Sequence, residues 1–597
     1  MPPVMQVMGK TTEQEIWVVS ETRKFRQSEY LVVEDPELKQ PVGVVVETQT
    51  FNRFLPLDAD SGFVPADVYR ALEASTSYDV GKHDLHIARV RLLEDMPMPV
   101  RPGVEVREPE FREVRHLLVR GEPQRAMVLG IVKATEGLYA GMDATYQGLC
   151  ATLEGGETCV QAAVPFLFDP RAMQQYPHAG IFGGSGSGKS FGLRVLLEEL
   201  MKLKIPALVF DPHFELTFSE AAPGAPAQRL ADYRSAYVAY QVGSDVGVNF
   251  VHLSTRDLIN LLASAAPLSE SMTNAVETLH RRGDSYASFA ARVEDVANSL
   301  EQSEKGGPRS RAEGANLPLS SVKGLSWRLE RIHKAGLFTG DSRPVEAALR
   351  AGRLCVVQGP VWLLNVYLSY VTSNVYRQRR DYKDARFRSQ AAEYFPPFVI
   401  ATDEAHNFAP KAYEAPAKGI LKEIAQEGRK YGVFLILATQ RPTLLDETIT
   451  AQLNSKFIFR TVRASDIATI KEETDLTVEE TRRLPYLRSG DAFVSSAVFG
   501  RTLPVRIRMA NTASPHTENP FDELSQQMSQ AGDEFLAQVQ AHLPLRDNEV
   551  LLLVQALGKQ GVSLGVDEAT RRLEALVAAG HLVFDASKFG GGTFRLP

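Results

Sequence analysis

One stretch of the sequence has the residue types and the spacing that bind phosphate groups. It reads Gly183-x-x-x-x-Gly188-Lys189-Ser190, with the apolar run "GIF" before it and an apolar-periodic segment after it. Glycines let backbone N–H groups turn inward toward phosphate oxygens, and the start of the following helix adds partial positive charge. Lys189 can reach the β- and γ-phosphates of ATP, and the Ser190 hydroxyl can coordinate Mg²⁺. We therefore expect ATP to bind at this loop, whose residues are Gly183, Gly184, Ser185, Gly186, Ser187, Gly188, Lys189 and Ser190.

Two carboxylates follow an apolar run farther along the chain, in "FVIATDEAHNF". Asp403 ends the predicted strand, where α/β sheets place ligands, and can hold the metal directly or through water. Glu404 comes next and can polarise the attacking water as a general base. Gln440, in "LILATQRP", ends the following strand. It is placed either to sense the γ-phosphate and position water, or to contact only solvent.

Arg429 lies in "EGRKYG", at the end of the helix predicted between the Asp403 and Gln440 strands. A cation at this position complements the partial negative charge of a helix C-terminus. The alternative is an arginine finger that reaches the ATP of a neighbouring subunit. The residues alone leave both roles open.

Composition is typical of a globular protein with several domains. The 597 residues are 44% hydrophobic and 23% charged, and one core does not serve so long a chain. No apolar run has the 18 or more residues of a membrane span, and the first residues do not resemble a signal peptide. Cys150, Cys159 and Cys355 form no CxxC pair, which favours a cytoplasmic location without a membrane partner. A formal net charge of −7 restricts nucleic-acid contacts to local basic patches.

The first 168 residues are typical of β structure. Runs rich in Val, Ile and Leu, several of them alternating with polar residues, are separated by turn residues. They lie at 15–20, 30–33, 42–51, 84–93, 114–120, 126–135 and 158–168. Because closure removes exposed strand edges, we expect a small closed barrel over residues 1–168.

Residues 169–510 show short apolar runs that alternate with helical segments. After "AGIFGG" these runs lie at 206–211, 353–359, 397–403, 433–439 and 456–462. Near-continuous apolar strands separated by helices predict an α/β domain whose parallel sheet is covered on both faces. The strand signal disappears between about 254 and 350, which predicts a helical insertion with a polar linker at 303–318.

Residues 511–597 form a polar connector and a compact tail. Two helical segments, "DNEVLLLVQALGKQG" and "VDEATRRLEALVAAG", precede a predicted hairpin. This order is that of a winged helix. Glu568 and Glu574 accompany Arg571 and Arg572 on the second helix, so a structural or protein-contact role is favoured over reading a DNA groove.

With the phosphate loop, both carboxylates, "GRKYG" and "ATQRP" in view, the sequence resembles the HerA branch of the HerA–FtsK ATPases. The resemblance spans about residues 10–510 and includes "DPHFE" at 211–215. It implies a RecA-like ATPase domain, an N-terminal HAS-type barrel and a homohexameric ring that translocates double-stranded DNA. It also implies that Arg429 acts across a subunit boundary, and that Asp211 and Glu215 lie near the nucleotide or the pore. A NurA-like nuclease is the partner expected on the barrel side, for processing of DNA ends in repair or defence.

A basic segment, "YRQRRDYKDARFR" at 376–388, precedes the Asp403 strand and contains interleaved aromatic residues. Its cations could line the channel of a ring and contact phosphates, which carry no sequence information. A solvated helix face with internal Asp pairing is the alternative. The DNA-binding candidates are Arg377, Arg379, Arg380, Lys383, Arg386 and Arg388, with Lys411 and Lys418 as a second group.

Three functions agree with these motifs. The first is an ATP-driven translocase for double-stranded DNA. The second is a secretion-type ring ATPase that acts on proteins, and the third is a non-motor, nucleotide-dependent switch. Stimulation of ATP hydrolysis by DNA separates the first function from the other two.

Overall fold

The computed structural model describes residues 4–52, 70, 74, 84–225, 233–305, 314, 316–515, 520–587 and 590–597. Two compact units make up the chain, Met1–Pro515 and His516–Pro597. Within the described residues, none of the helices is both long and apolar enough to cross a membrane.

A closed antiparallel barrel begins the first unit. Its strands are β1 (Met5–Met8), β2 (Glu15–Ser20), β3 (Tyr30–Val33), β4 (Val42–Asn52), β5 (Asp84–Leu92) and β6 (Glu105–Arg107). They pair in the order β1-β2-β5-β4-β3-β6. Buried and less buried residues alternate along β2, because successive side chains of a strand point to opposite faces. The predicted N-terminal all-β barrel is confirmed.

The strand expected at 114–120 is wrong, because Phe111–Leu118 is a helix. Phe111, Val114, Leu117 and Leu118 are its buried residues, and their spacing is that of one helix face. At its start the Glu113 carboxylate accepts a hydrogen bond from the backbone N–H of Glu110 (2.7 Å). This side chain satisfies a donor that a helix start leaves unpaired.

An eleven-stranded mixed sheet forms the rest of the first unit. Its strands are β7 (Met127–Val132), β10 (Pro165–Phe168), β11 (Ala179–Phe182), β12 (Ala207–Asp211), β13 (Tyr237–Gln241), β14 (Leu354–Gln358), β15 (Phe398–Thr402), β16 (Val433–Thr439), β17 (Ser455–Phe459), β18 (Asp491–Ser496) and β19 (Arg501–Ile507). The order is β10-β7-β19-β18-β17-β11-β16-β15-β12-β14-β13. The pairs from β17 to β13 are parallel, as predicted, and those from β10 to β17 are antiparallel. A separate hairpin joins β8 (Ala151–Glu154) to β9 (Glu157–Val160).

Two runs that the sequence analysis assigns to the barrel belong instead to this sheet. They are β7 and β10, which pair with each other, and β7 also pairs with β19. Both strands are buried at every position, unlike the barrel strands β2 and β5, where burial alternates. Burial on both faces is typical of strands inside a covered sheet. The barrel therefore ends with β6.

Helices cover the two faces of the sheet. In the first unit they span Phe111–Leu118, Lys189–Lys202, Thr255–Ala265, Glu270–Leu279, Tyr286–Glu304, Leu319–Lys334, Arg343–Arg350, Val361–Phe387, Lys418–Tyr431, Glu447–Gln452, Ala464–Glu472 and Val478–Arg483. The five from Thr255 to Arg350 lie between β13 and β14 and occupy the region of the predicted insertion. One buried cluster contains their apolar residues, and a second contains those of Lys189–Lys202. The predicted fold class, a parallel α/β sheet preceded by an all-β barrel, is confirmed.

The second unit has its own small core. Helices Pro520–Val539, Val550–Lys559 and Val566–Ala578 accompany a three-stranded sheet of β20 (Leu545–Arg546), β21 (Val583–Ala586) and β22 (Gly592–Arg595). The strand order is β20-β22-β21. The two helices and the hairpin of the tail are present, and its description as a winged helix stays a prediction.

Candidate nucleotide-binding site

The phosphate loop lies between the end of β11 and the helix Lys189–Lys202. Gly188 has φ 96°, and a Cβ atom there would lie 2.7 Å from the backbone nitrogen of Gly490. A Cβ atom on Gly183 would lie 2.6 Å from the hydroxyl of Ser187. Only glycine fits either position without displacing its neighbours. The Ser187 hydroxyl itself is buried and has no hydrogen-bond partner in the described part of the chain.

The four residues predicted to handle phosphate and metal meet at one point. The Lys189 ammonium donates to the Asp403 carboxylate and lies 3.3 Å from the Glu404 carboxylate. The Ser190 hydroxyl donates to the other Asp403 oxygen (3.2 Å). Lys189, Asp403 and Glu404 are all buried. Residues more than 200 positions apart in sequence thus form one cluster of a cation, a hydroxyl and two carboxylates.

Sheet order brings these residues together. β16 lies between β11, which leads into the phosphate loop, and β15, which ends beside Asp403. All three strands are parallel, so their carboxyl ends meet at one edge. This arrangement also places Gln440, directly after β16, between the loop and the carboxylates.

Glu404 is held by its neighbours in an uncommon backbone conformation. Its φ and ψ are 48° and 49°, in the left-handed region. One carboxylate oxygen accepts from the backbone N–H of Gln440 (3.3 Å) and lies 3.3 Å from the His406 ring. Such conformations persist where the surroundings enforce them, and they concentrate at functional sites.

His406 takes part in the site although the sequence analysis gives it no role. Its Nδ1 lies 2.9 Å from the hydroxyl of Thr439, the last residue of β16. Burial lowers the pKa of His406, an effect that the nearby Glu404 carboxylate partly opposes. The ring therefore favours its neutral form and links Glu404 to the strand that precedes Gln440. Its place in "DEAH" is the signal that could have identified it.

Arg460 is a second residue that the sequence analysis missed. It follows β17, and its backbone oxygen accepts from the N–H of Gly184 (2.9 Å). Its guanidinium donates to the backbone oxygen of Gly186 (3.3 Å) and pairs with no carboxylate in the described residues. An arginine is thus fixed at the rim of the phosphate loop.

These residues fit ATP and Mg²⁺. The Ser190 hydroxyl and the Asp403 carboxylate are adjacent oxygen donors, which are the ligands that Mg²⁺ prefers. The glycine-rich turn and the first turn of Lys189–Lys202 present backbone N–H groups suited to phosphate oxygens. When bound, the metal would neutralise charge on the phosphates.

A segment from Thr477 to Gly490 touches both the phosphate loop and the barrel. At its end the backbone N–H of Gly490 donates to the backbone oxygen of Ser187 (3.0 Å). At its start Glu479 pairs with Arg89 of β5 (2.5 Å). Arg483 donates to the hydroxyl of Ser28 (3.4 Å), just before β3.

Arg429 lies away from the phosphate loop of its own chain. It is exposed near the end of Lys418–Tyr431, just before β16 begins, and donates to the backbone oxygen of Gln175 (3.4 Å). Because β11 and β16 are parallel, this end of β16 is at the opposite edge of the sheet from the loop.

The basic candidates differ in their surroundings. Arg386 and Arg388 are exposed at and just after the end of Val361–Phe387, and Arg377 is exposed in the same helix, 3.8 Å from the Asp257 carboxylate. Arg380 pairs with Glu423 (2.6 Å), and Lys383 is half-buried. Arg379 is only 6% exposed and donates to the backbone oxygens of Tyr431 and Phe395 (both 2.6 Å). Lys418 is 4% exposed and lies beside Glu414 and Asp446, whereas Lys411 is exposed and pairs with Glu447.

Arg379 and Lys418 therefore differ from the other candidates, and the prediction that they contact DNA is wrong. Their polar ends are turned into the protein, because each satisfies carbonyl or carboxylate oxygens of neighbouring elements, and neither presents a cation to DNA.

The Asp211 carboxylate accepts hydrogen bonds from nearby groups of its own chain. It accepts from the backbone N–H groups of Glu215 (3.3 Å) and Leu216 (2.9 Å) and from the Gln358 amide (2.8 Å). It closes the turn after β12 and joins that turn to the end of β14.

Known proteins resemble this chain over a region that includes the phosphate loop. Residues 156–361 match the family model described as Helicase HerA, central domain. The DNA double-strand break repair helicase HerA of Pyrococcus furiosus is 24% identical over 379 residues, 56% of this chain and 65% of that protein. The resemblance to HerA is confirmed. HerA of Saccharolobus solfataricus is 30% identical over 147 residues, 24% of this chain and 29% of that protein.

The matched part of the chain spans less than two thirds of these HerA relatives' own length. Solved structures with some likeness include VirB4 of Thermoanaerobacter pseudethanolicus and the plasmid coupling protein TrwB in complex with ADP and Mg²⁺. VirB4 is 13% identical, with a TM-score of 0.41, and covers 63% of this chain and 98% of its own. TrwB is 14% identical, also with a TM-score of 0.41, and covers 66% and 98%.

Proposed function

We propose that this chain is an ATP-driven motor that moves double-stranded DNA. It works as a homohexameric ring in the cytoplasm and feeds DNA to a NurA-like nuclease for end processing. The observation that carries the proposal is the meeting of Lys189, Ser190, Asp403 and Glu404 at the end of a parallel sheet. The HerA resemblance supports the choice of DNA as substrate.

Each residue of the site has a task in hydrolysis. Lys189 lies against both carboxylates, so phosphate binding exchanges one of these contacts for a phosphate oxygen. Ser190 and Asp403 would hold Mg²⁺. Glu404 then accepts a proton from the attacking water, with its orientation fixed by Gln440 and His406.

The ring explains the position of Arg429. It is exposed at the sheet edge opposite the loop of its own chain, so a catalytic role for it requires a second subunit. The arginine finger would stabilise charge that develops on the transferred phosphoryl group.

DNA contacts are assigned to the cations that remain accessible, Arg377, Arg386 and Arg388 foremost. Contacts with phosphates suit a motor that moves along any sequence. Arg379 is the matched control, because it belongs to the same helix but donates its hydrogen bonds inside the protein.

ATP hydrolysis with and without blunt duplex DNA, over a range of salt concentrations, tests the proposal. We expect DNA to stimulate hydrolysis in the wild type, less so at high salt, and Lys189→Ala to abolish it. Fast hydrolysis at a rate that DNA does not change would favour a secretion-type ATPase acting on proteins. Nucleotide binding with almost no turnover would favour a switch.

Mixing of inactive subunits tests the role of Arg429. Arg429→Ala and Lys189→Ala are each expected to be inactive alone. In mixed rings some interfaces combine an intact loop with an intact arginine, so hydrolysis partly returns. A lack of recovery in rings shown to be mixed would count against the arginine finger.

A further inference from the structure

Two of the three tryptophans lie exposed on one surface of the first unit. Trp327, in Leu319–Lys334, is 53% exposed, and Trp362, at the start of Val361–Phe387, is 37% exposed. Tryptophan is highly buried on average, so two exposed indoles on neighbouring elements suggest a binding surface.

Arg331 joins the two indoles. Its guanidinium carbon lies 5.4 Å from the ring centroid of Trp327 and 5.0 Å from that of Trp362. Arg331 is exposed, and within the described residues its guanidinium forms neither a hydrogen bond nor an ion pair. Arg328, also near Trp327, differs because it donates to the backbone oxygens of Ala266 and Pro267. We call Trp327, Arg331 and Trp362 the indole–arginine patch.

The helix that carries Trp327 and Arg331 has more cations than carboxylates. The helix Leu319–Lys334 carries Lys323, Arg328, Arg331 and Lys334 against a single carboxylate, Glu330. Glu330 pairs with Lys334 (2.7 Å), which leaves Arg331 without a counter-charge from its own helix. Trp362 lies in the first turn of a 27-residue helix, whose start carries partial positive charge.

We propose that the indole–arginine patch binds unpaired nucleotides of DNA. Bases stack on the indole rings, and the Arg331 guanidinium, already oriented by both rings, contacts a phosphate or a base face. Trp362 of the patch follows the carboxyl end of β14, at the sheet edge that also carries the phosphate loop. This inference rests on the proposed DNA substrate and adds a preference for ends, frayed bases or displaced strands.

Charge distinguishes DNA from a second copy of the chain as the occupant. A two-fold contact centred on the patch would bring the two Arg331 guanidiniums together, and the one carboxylate of the helix, Glu330, already pairs with Lys334. Nucleotides supply both the aromatic faces and the negative charge that the patch lacks.

Tryptophan fluorescence tests this proposal directly, because the chain has only three tryptophans. The full-length protein is titrated with a 20-nucleotide oligo-dT strand. We expect quenching of fluorescence in the wild type and in Trp17→Phe. Trp327→Ala, Trp362→Ala and Arg331→Ala should each weaken binding about 5- to 100-fold, the range for loss of one base stack.

Phe51→Ala is the matched control, since Phe51 is 45% exposed on strand β4 of the barrel and belongs neither to the patch nor to the basic segment 376–388. It should leave affinity within about twofold, and Trp327→Phe should retain part of it. Unchanged oligo-dT binding in all three patch variants would overturn the proposal. So would a loss of ring assembly in those variants while oligo-dT binding persists, which would make the patch a subunit contact.

Stimulation of hydrolysis by blunt duplex is measured separately on the same variants. If duplex DNA does not stimulate hydrolysis by the wild type but oligo-dT quenches its fluorescence, the proposed motor function is refuted and nucleotide binding at the patch is supported. If duplex DNA stimulates hydrolysis normally and oligo-dT causes no quenching, nucleotide binding at the patch is refuted and the motor function is supported.

Discussion

Substitution of Glu404 separates nucleotide binding from hydrolysis. Its carboxylate accepts from the Gln440 N–H and lies beside Lys189 and His406. Glu404→Gln keeps the shape and one acceptor oxygen but removes the base. We expect ATP binding to persist and turnover to fall about 10²- to 10⁴-fold. Equilibrium binding of a fluorescent ATP analogue, together with phosphate release, measures both. Loss of ATP binding would indicate that Glu404 is structural.

Arg460 is expected to contribute to nucleotide binding in its own subunit. Its single contact with the Gly186 oxygen is weak enough to be exchanged for a phosphate. Arg460→Ala should weaken ATP binding about 5- to 50-fold, and ADP binding less if the contact is to the γ-phosphate, as for a lost charge-assisted hydrogen bond. Arg463→Ala, three residues later, is the control. Equal ATP affinity in the two variants would contradict this assignment.

Motifs could predict the centre of the site but not its rim. Lys189, Ser190, Asp403 and Glu404 belong to short patterns whose chemistry is evident from residue type and spacing. Arg460 follows the loop by more than 250 residues, and only the pairing of β11 with β17 brings it there. Arg379 shows the reverse: its charge suggests DNA, while the fold turns it toward two backbone oxygens.

At the scale of elements, His178 joins the start of β11 to β16 and to the helix Lys418–Tyr431, at the end of β11 opposite the phosphate loop. It precedes β11, its Nδ1 accepts from the backbone N–H of Leu435 (2.9 Å), and its Nε2 donates to the Ala425 oxygen (3.0 Å). Burial lowers the pKa of His178 from 6.5 to about 4. The unfolded chain therefore binds more protons between these values, so the free energy of unfolding falls as pH drops from 6.5 to 4. The loss attributable to His178 is about 3 kcal/mol.

His178→Gln should flatten this pH dependence, because the amide can offer an acceptor and a donor without titrating. Urea unfolding at several pH values measures the slope. The same change at the exposed His213 should leave the slope as in the wild type. Equal slopes in wild type and His178→Gln would contradict the burial argument.

Elements with a near-continuous apolar pattern could be predicted, and those with other patterns could not. The parallel strands β12, β14, β15 and β16 lie within predicted runs, and β17 begins one residue before its run. The antiparallel pair β18 and β19 was missed, since "DAFVSS" and "RTLPVRI" mix polar residues and a proline into a buried hairpin. Residues 114–120 are predicted as a strand because their Val and Leu residues favour strands, although the spacing of the apolar residues in Phe111–Leu118 fits a helix face.

At the scale of the whole molecule, the structure determines where the barrel can be removed. β7 belongs to the large sheet, and its Val128 N–H donates to Glu199 (3.0 Å), while Arg508 donates to the Val128 oxygen (2.9 Å). Deletion of residues 1–165 removes β7 and leaves two buried charged groups with fewer partners. We expect that truncation to misfold and deletion of residues 1–108 to fold.

The shorter deletion tests the proposed nuclease contact. ATP binding and circular dichroism first establish that the chain lacking residues 1–108 is folded. Pull-down with a NurA-like nuclease should then show binding to the full-length chain and at least about 10-fold weaker binding to the truncated one. Equal binding to both chains would place the nuclease elsewhere.

The segment from Thr477 to Gly490 can couple ligand binding at the barrel to nucleotide binding at the phosphate loop. It contacts Ser187 in the phosphate loop at one end and Arg89 and Ser28 of the barrel at the other. If nucleotide binding shifts this segment, the affinity of any barrel ligand changes by some factor, and linkage requires that ligand to change nucleotide affinity by the same factor. A partner bound to the barrel would then act as an allosteric effector of the ATP site, and a nucleotide titration with and without that partner would give the coupling free energy.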